Sequence, residues 1–195
     1  MVTPRPSPPP GKLRIIGGSL RGSRVAVPDK PGLRPTPDRA RETLFNWLAP
    51  VIQGARCLDL FAGTGALGIE ALSRGAAQVD FVEVDARLAD LIRANLDRLK
   101  QAARVHVADG VRFLAQGSEH FDIVFLDPPF AANLWGDAAR ALEAHGRLLE
   151  SAWIYVESPA DAEPELPQNW ALHREGHAGE VRFALYRRVG PSAKL

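Results

Sequence analysis

Residues 55–68 read ARCLDLFAGTGALG, a short apolar run closed by three glycines, and the rest of the chain can be ordered around it. Cys57, Leu58, Leu60 and Phe61 have the composition of a buried strand, and residues 65–74 that follow read as a helix. The glycines Gly63, Gly65 and Gly68 permit a tight turn and let a ligand approach the backbone at the helix N-terminus. Downstream the alternation continues. QVDFVEV (78–84) reads as a strand, and 87–100 as a helix with Leu88, Leu91, Ile92, Asn95 and Leu99 in register. RVHVA (104–108) is a strand, 110–115 a short helix and FDIVFLD (121–127) a strand. This pattern predicts a parallel α/β sheet covered on both faces, the doubly wound arrangement. AWIYVES (152–158) follows as a fifth strand. WALHRE (170–175) and EVRFALYRR (180–188) form an antiparallel pair across the 176–179 turn, with Val181, Phe183 and Leu185 on one face. SPADAEPELP (158–167) is read as a surface loop.

Upstream of the sheet, residues 1–11 are proline-rich and expected to be disordered, and at the other end residues 190–195 read as a short tail. LRIIGG and SRVAVP flank the turn GSLRG as a small basic hairpin. In RPTPDRARETLFNWL, Thr36 is placed to cap a helix that starts at Pro37. Ala40, Leu44, Trp47, Leu48 and Val51 would face inward, leaving Arg39, Glu42 and Asn46 exposed. The expected division is thus a basic hairpin and helix over 12–50 and a catalytic domain over 51–189.

The chain has 195 residues and a formal net charge of +1, but the charge is unevenly placed. Residues 1–50 hold nine Lys or Arg against three acids, and the other 145 residues balance to −5. A basic flank on a mildly acidic body suits a protein that holds phosphate beside a site that is not itself basic. No apolar run approaches the roughly 20 residues of a membrane span, and the first residues lack the apolar centre of a secretion signal. The single Cys57 fits a reducing compartment, so a soluble cytoplasmic protein is expected. The five histidines are scattered and no metal site is expected. Trp47 and Trp153 read as core residues, while Trp135 is a candidate for lining a pocket.

Chemistry concentrates where strands end. Glu83, 20 residues beyond Gly63, is placed to accept hydrogen bonds from the ribose hydroxyls of a nucleoside, and Asp85 to cap the next helix. Asp109 ends the third strand at the same sheet edge, and could accept from an adenine amine or cap a helix. The fourth strand ends in FLDPPF (125–130). Neither proline can donate to a ladder, so the strand stops at Asp127 on a stiff mount. Hydride transfer has no use for such a group, whereas methyl transfer to an exocyclic amine does. Asp127 can accept one amine N–H and the Pro128 carbonyl another, which turns the nitrogen lone pair towards an electrophile. Phe130 offers a ring on which an extruded base can stack.

The set DLFAGTGALGIEALSRGA, VEVD, ADG and DPPF resembles the class I S-adenosylmethionine-dependent methyltransferases that modify exocyclic amines. With RIIGGSLRG and RPTPDRARETLFNWL, the chain is similar to the bacterial 16S ribosomal RNA guanine-N2 methyltransferases of the small-subunit methylase D family over residues 13–188. The resemblance implies a Rossmann-like, seven-stranded, mostly parallel sheet with its last strand antiparallel. It implies S-adenosylmethionine as cofactor, and as substrate one guanine of 16S ribosomal RNA, met in the small ribosomal subunit; the expected state is a monomer. Asp59, Phe61, Gly63 and Gly65 would surround the cofactor's methionine part, Glu83 its ribose, and Asp109 with Gly110 its adenine. Asp127, Pro128 and Phe130 would hold the base, with Phe130 where many amine methyltransferases carry tyrosine. Arg14, Arg21, Arg34, Arg39 and Arg41 are the candidates for RNA contact, the last three alternatively for closing over the cofactor.

Three rivals stand beside this reading: an adenine-N6 or cytosine-N4 methyltransferase acting on DNA, a nicotinamide-dependent reductase, and a non-catalytic RNA-binding module. A chain this short leaves little room for a DNA-reading domain, which favours an RNA partner that presents its own shape.

Overall fold

In the computed structural model of the chain, residues 11–28 and 37–190 are described. The proline-rich segment before Gly11, Thr36 with its capping role, Arg34 and residues 191–195 lie outside them. β1 (Gly11–Arg14) and β2 (Arg24–Val27) form the antiparallel hairpin, which begins at Gly11, a residue expected in the tail. α1 (Asp38–Leu48) follows from Pro37.

The alternation then runs β3 (Arg56–Asp59), α2 (Ala66–Ser73), β4 (Gln78–Glu83), α3 (Ala86–Leu99), β5 (Arg104–Val107), α4 (Gly110–Gln116) and β6 (Phe121–Leu126). A fifth helix, α5 (Trp135–Ala144), precedes β7 (Leu148–Pro159); β8 (Trp170–Ala178) and β9 (Val181–Arg188) close the chain. The seven strands β3–β9 join one sheet in the order β5-β4-β3-β6-β7-β9-β8. β9, the last strand, inserts between β7 and β8 and is antiparallel to both. The order reverses at β3, so β4 and β5 extend to one side and β6 and β7 to the other. That reversal opens a crevice above the strand ends, where α/β sheets bind ligands.

Each face of the sheet has its own core. On one, Cys57, Phe81, Phe125, Tyr155, Phe183 and Leu185 pack against α1, α2, α3 and the hairpin residues Ile15 and Val25. On the other, Leu58, Val82, Val124, Ile154 and Tyr186 pack against α4 and α5. The basic extension is therefore built into the first core. Glu70 on α2 anchors it, because its buried carboxylate accepts the Ile16 and Gly17 amides at 2.9 and 2.8 Å and the Arg74 Nε–H at 2.8 Å. Trp47 and Trp153 are only partly buried, at the margin of this core.

Gly68 shows why the helix can lie so close to the sheet: a Cβ there would stand 2.2 Å from the Phe81 ring. No helix among the described residues is long and apolar enough to cross a membrane.

Candidate active site

The pairing register puts the carboxylates in order. Phe81, Asp59, Phe125 and Tyr155 are level with one another across β4, β3, β6 and β7. Side chains alternate along a strand, so residues two positions on return to the same face one layer higher. That upper layer holds Glu83, Asp127 and Glu157, with Asp59 one layer below between the first two strands. Four neighbouring strands thus each carry one acid to the same rim, on the face that α1, α2 and α3 cover. Among the described residues no three acid, His or Cys side chains are grouped so as to hold a metal ion.

Asp59 is buried, and its Oδ2 accepts the Gly68 amide at 3.0 Å, tying β3 to the first turn of α2. Burial pushes its carboxyl up to about 7; the Gly68 hydrogen bond opposes this and the charge of Glu83 adds to it. Gly63 and Gly65 adopt φ of 54° and 76°, left-handed angles that glycine reaches without Cβ strain, and Gly65 caps α2. Glu83 holds this turn: its Oε2 accepts the Gly63 amide at 2.7 Å and its Oε1 the Asp85 amide at 2.9 Å. A carboxylate oxygen has two lone pairs, so Glu83 retains accepting capacity for ribose hydroxyls. Asp85 caps α3 by accepting from the Arg87 amide at 2.8 Å. Asp109 is exposed and caps α4, accepting from the Arg112 amide at 2.9 Å. At Gly110 a Cβ would stand 2.9 Å from the Phe61 ring, so Phe61 lies against the start of α4. A glycine turn at a helix N-terminus, a strand-end carboxylate and a ring beside a second helix start fit a nucleoside-bearing cofactor.

Asp127 is half-buried at the end of β6. Loss of water raises its carboxyl well above the usual range, with further rises from the charges of Glu157 and Asp59. Pro129 leads into a short 3-10 turn over Phe130–Ala132, which leaves the Phe130 ring 38% exposed. Its support is Trp135, whose ring centroid is 5.9 Å away. Trp135 is itself buried in the α5 core and donates its indole N–H to the Glu157 main-chain oxygen at 2.7 Å, so it stands behind the Phe130 ring as part of the core.

The arginine candidates separate. Arg14, Arg21 and Arg39 are exposed and available to a polyanion. Arg41, expected among the phosphate contacts, is buried between α1 and the hairpin. Its Nη2 donates to the Arg14 carbonyl oxygen and to Asp38, each at 2.8 Å. It reaches inward to the β1 backbone instead of outward to solvent, so Arg41 joins the hairpin to the helix and is not placed for a phosphate contact. Glu157 and Tyr155 went unread in the sequence. The Tyr155 hydroxyl donates to Glu157 Oε2 at 2.8 Å, and burial beside Glu157 and Asp127 raises its pKa well above 10, so it remains a donor. The signal available was the one used elsewhere, an acid at the C-terminal end of an apolar strand. A surface recess of about 700 Å³ lined by Arg140, Glu143, Leu166 and Pro167 contains none of these residues.

A doubly wound sheet with an antiparallel last strand, a glycine turn facing a strand-end acid, and Asp-Pro-Pro-Phe at the next strand end define a class I methyltransferase. The family described as Conserved hypothetical protein 95 matches residues 13–187, and the chain belongs to it. A protein of Escherichia coli named ribosomal RNA small subunit methyltransferase D is 52% identical over 180 residues, 91% of each chain. One of the same name from Haemophilus influenzae is 46% identical, over 91% of this chain and 94% of that one. A solved methyltransferase structure from Escherichia coli superposes with a TM-score of 0.86 at 49% identity, covering 93% of this chain and 100% of that one.

Proposed function

We propose that the chain transfers a methyl group from S-adenosylmethionine to the exocyclic N2 amine of one guanine in 16S ribosomal RNA. The observation that carries this reading is Asp127, held on a proline pair one strand away from the residues that fit a nucleoside cofactor. The bound cofactor would supply an electrophilic methyl group on a sulfonium. The chain's own residues do the rest. Asp127 and the Pro128 carbonyl accept the two amine N–H groups, which sets the nitrogen lone pair towards the methyl carbon as the C–S bond breaks and the C–N bond forms. The nitrogen then loses one proton, and the raised affinity of Asp127 for protons suits it to take that proton. Phe130 stacks on the base, and the exposed Arg14, Arg21 and Arg39 lie on the basic segment that would meet RNA phosphates. The small ribosomal subunit, approached by a monomer, is the natural substrate in this reading; the names of the relatives support the RNA of that subunit as the substrate class.

The test is incubation with labelled S-adenosylmethionine and small subunits lacking the modification, beside free 16S RNA, followed by mapping of the label. Label on one guanine N2 is expected, and Asp127→Ala should abolish it while cofactor affinity is kept. Label on adenine or cytosine amines, or an Asp127→Ala protein of wild-type activity, would overturn the reading.

A further inference from the structure

We propose that Glu157 is a specificity-determining residue that accepts the N1–H of the target guanine while Asp127 accepts from its N2 amine. The inference rests on guanine N2 being the methyl acceptor.

Glu157 is a buried carboxylate that the transfer step above does not use. It lies in the same layer as Asp127, one residue past the paired rung Leu126–Val156, and on the strand farther from the cofactor residues. Across the rim the order is Glu83 on β4, the glycine turn after β3, Asp127 on β6, Glu157 on β7, then Phe183 on β9. Phe183 packs on Trp47 of α1 with ring centroids 5.5 Å apart, so an aromatic wall closes the row beyond Glu157. A base whose amine meets the methyl group over Asp127 must extend its ring away from the cofactor, towards β7. Guanine carries a proton on the ring nitrogen N1 beside its amine. Adenine and cytosine carry a lone pair on the corresponding nitrogen. A carboxylate only accepts, so Glu157 matches guanine and repels the other two. It also selects one of two orientations of guanine, because the other ring neighbour of N2 is the acceptor N3.

Tyr155 makes the choice strict. Its hydroxyl donates to Glu157 Oε2, and the Glu157 main-chain oxygen accepts from Trp135, so both side chain and backbone are held. In Glu157→Gln an NH₂ replaces one of the two carboxylate oxygens, so the side chain brings a donor to a place that held only acceptors. A donor would then face the N1–H donor of guanine, but would suit a base with a lone pair at that position.

The probe is 2-aminopurine, which keeps the 2-amine and has a lone pair at N1. Small subunits are reconstituted with either guanine or 2-aminopurine at the target position, and kcat/KM is measured for the full-length protein. The wild-type enzyme should prefer guanine by roughly 100-fold or more, the range set by leaving a buried polar group unpaired. Glu157→Gln should lose about 100-fold on guanine and narrow the preference to within about 10-fold, with the dissociation constant for S-adenosylmethionine unchanged. Equal wild-type rates on the two substrates overturn the inference without any variant, and so does a Glu157→Gln protein that keeps the wild-type preference. Failure of the wild-type enzyme to label guanine at all would instead overturn the proposed activity.

Discussion

Asp59→Asn should make the protein less stable in acid and more stable in mild alkali, because Asp59 is a buried carboxyl whose pKa stands at about 7 against 3.8 for a solvated one. Below about pH 4 the group is protonated in folded and unfolded chains alike and contributes no pH dependence. Between about pH 4 and 7 the unfolded chain ionises while the folded chain keeps its proton, so folding loses up to about 1.4 kcal/mol for each pH unit. Above pH 7 the loss is complete, and it amounts to about 4 kcal/mol at most. Asparagine can still accept the Gly68 amide through its oxygen, but buries an NH₂ in place of the second carboxyl oxygen, which costs about 1–2 kcal/mol at every pH. The difference between the two proteins should therefore change sign: the variant about 1–2 kcal/mol weaker at pH 4, and about 2–3 kcal/mol stronger at pH 8. Urea denaturation of both proteins without cofactor, at half-unit steps from pH 4 to 9, measures this directly. A difference that stays constant from pH 4 to 8 would show that Asp59 ionises normally in the folded chain, and would refute the placement of a charge-averse carboxyl beneath the glycine turn.

Phe130→Ala removes the exposed ring, and base stacking of about 1–3 kcal/mol translates into a roughly 5- to 150-fold fall in kcat/KM for the RNA substrate, with cofactor affinity unchanged. Gly68→Ala forces a methyl group against the Phe81 ring and should cost about 1–3 kcal/mol, lowering Tm by about 2–4 °C for each kcal/mol. Glu70→Gln sets an NH₂ against one of the Ile16 and Gly17 amides, a buried conflict of about 1–3 kcal/mol. Amide exchange at those two residues should speed up while the strands β3 and β6 stay protected, and unchanged exchange there would refute the anchoring role of Glu70.

The strands of the parallel sheet were legible because each is a short apolar run bounded by glycine, proline or an acid, and the alternation with helices allows few topologies. α5 was not legible: its buried residues are Trp135, Ala138, Ala139 and Leu142, so alanines supply half of its apolar face and Gly136 interrupts its first turn. Arg41 misled for a different reason. Helical spacing correctly placed Ala40, Leu44 and Leu48 inward, but the buried face is wider: Phe45 packs on Phe125 of the sheet, and Arg41 is buried where it donates to the Arg14 carbonyl of β1. That contact joins residues 27 apart in sequence, and Glu70 reaches the hairpin across more than 50. Local pattern carries no record of either. In the site, Glu83 and Asp127 stood out because a glycine turn or a proline pair marked them. Glu157 has the same position on its strand with no such mark, and only the register between β6 and β7 brings it beside Asp127.

That register exposes a conflict between stability and use. Asp59, Glu83, Asp127 and Glu157 crowd one rim, and for Asp59 and Asp127 water loss and neighbouring negative charges both oppose ionisation. A fold selected for stability alone would place apolar side chains at these strand ends, as it does one layer below with Phe81, Phe125 and Tyr155. Two of the acids also hold local structure, Asp59 through Gly68 and Glu83 through Gly63, yet an amide oxygen or a backbone carbonyl could accept those bonds without charge. What charge adds over uncharged acceptors is a stronger pull on the ligands proposed here: ribose hydroxyls, the amine and ring N–H of guanine, and a sulfonium, all donors or cations. The acidic rim is thus complementary to ligands rich in donors and positive charge, and the strain of keeping it in the free protein is relieved when they bind.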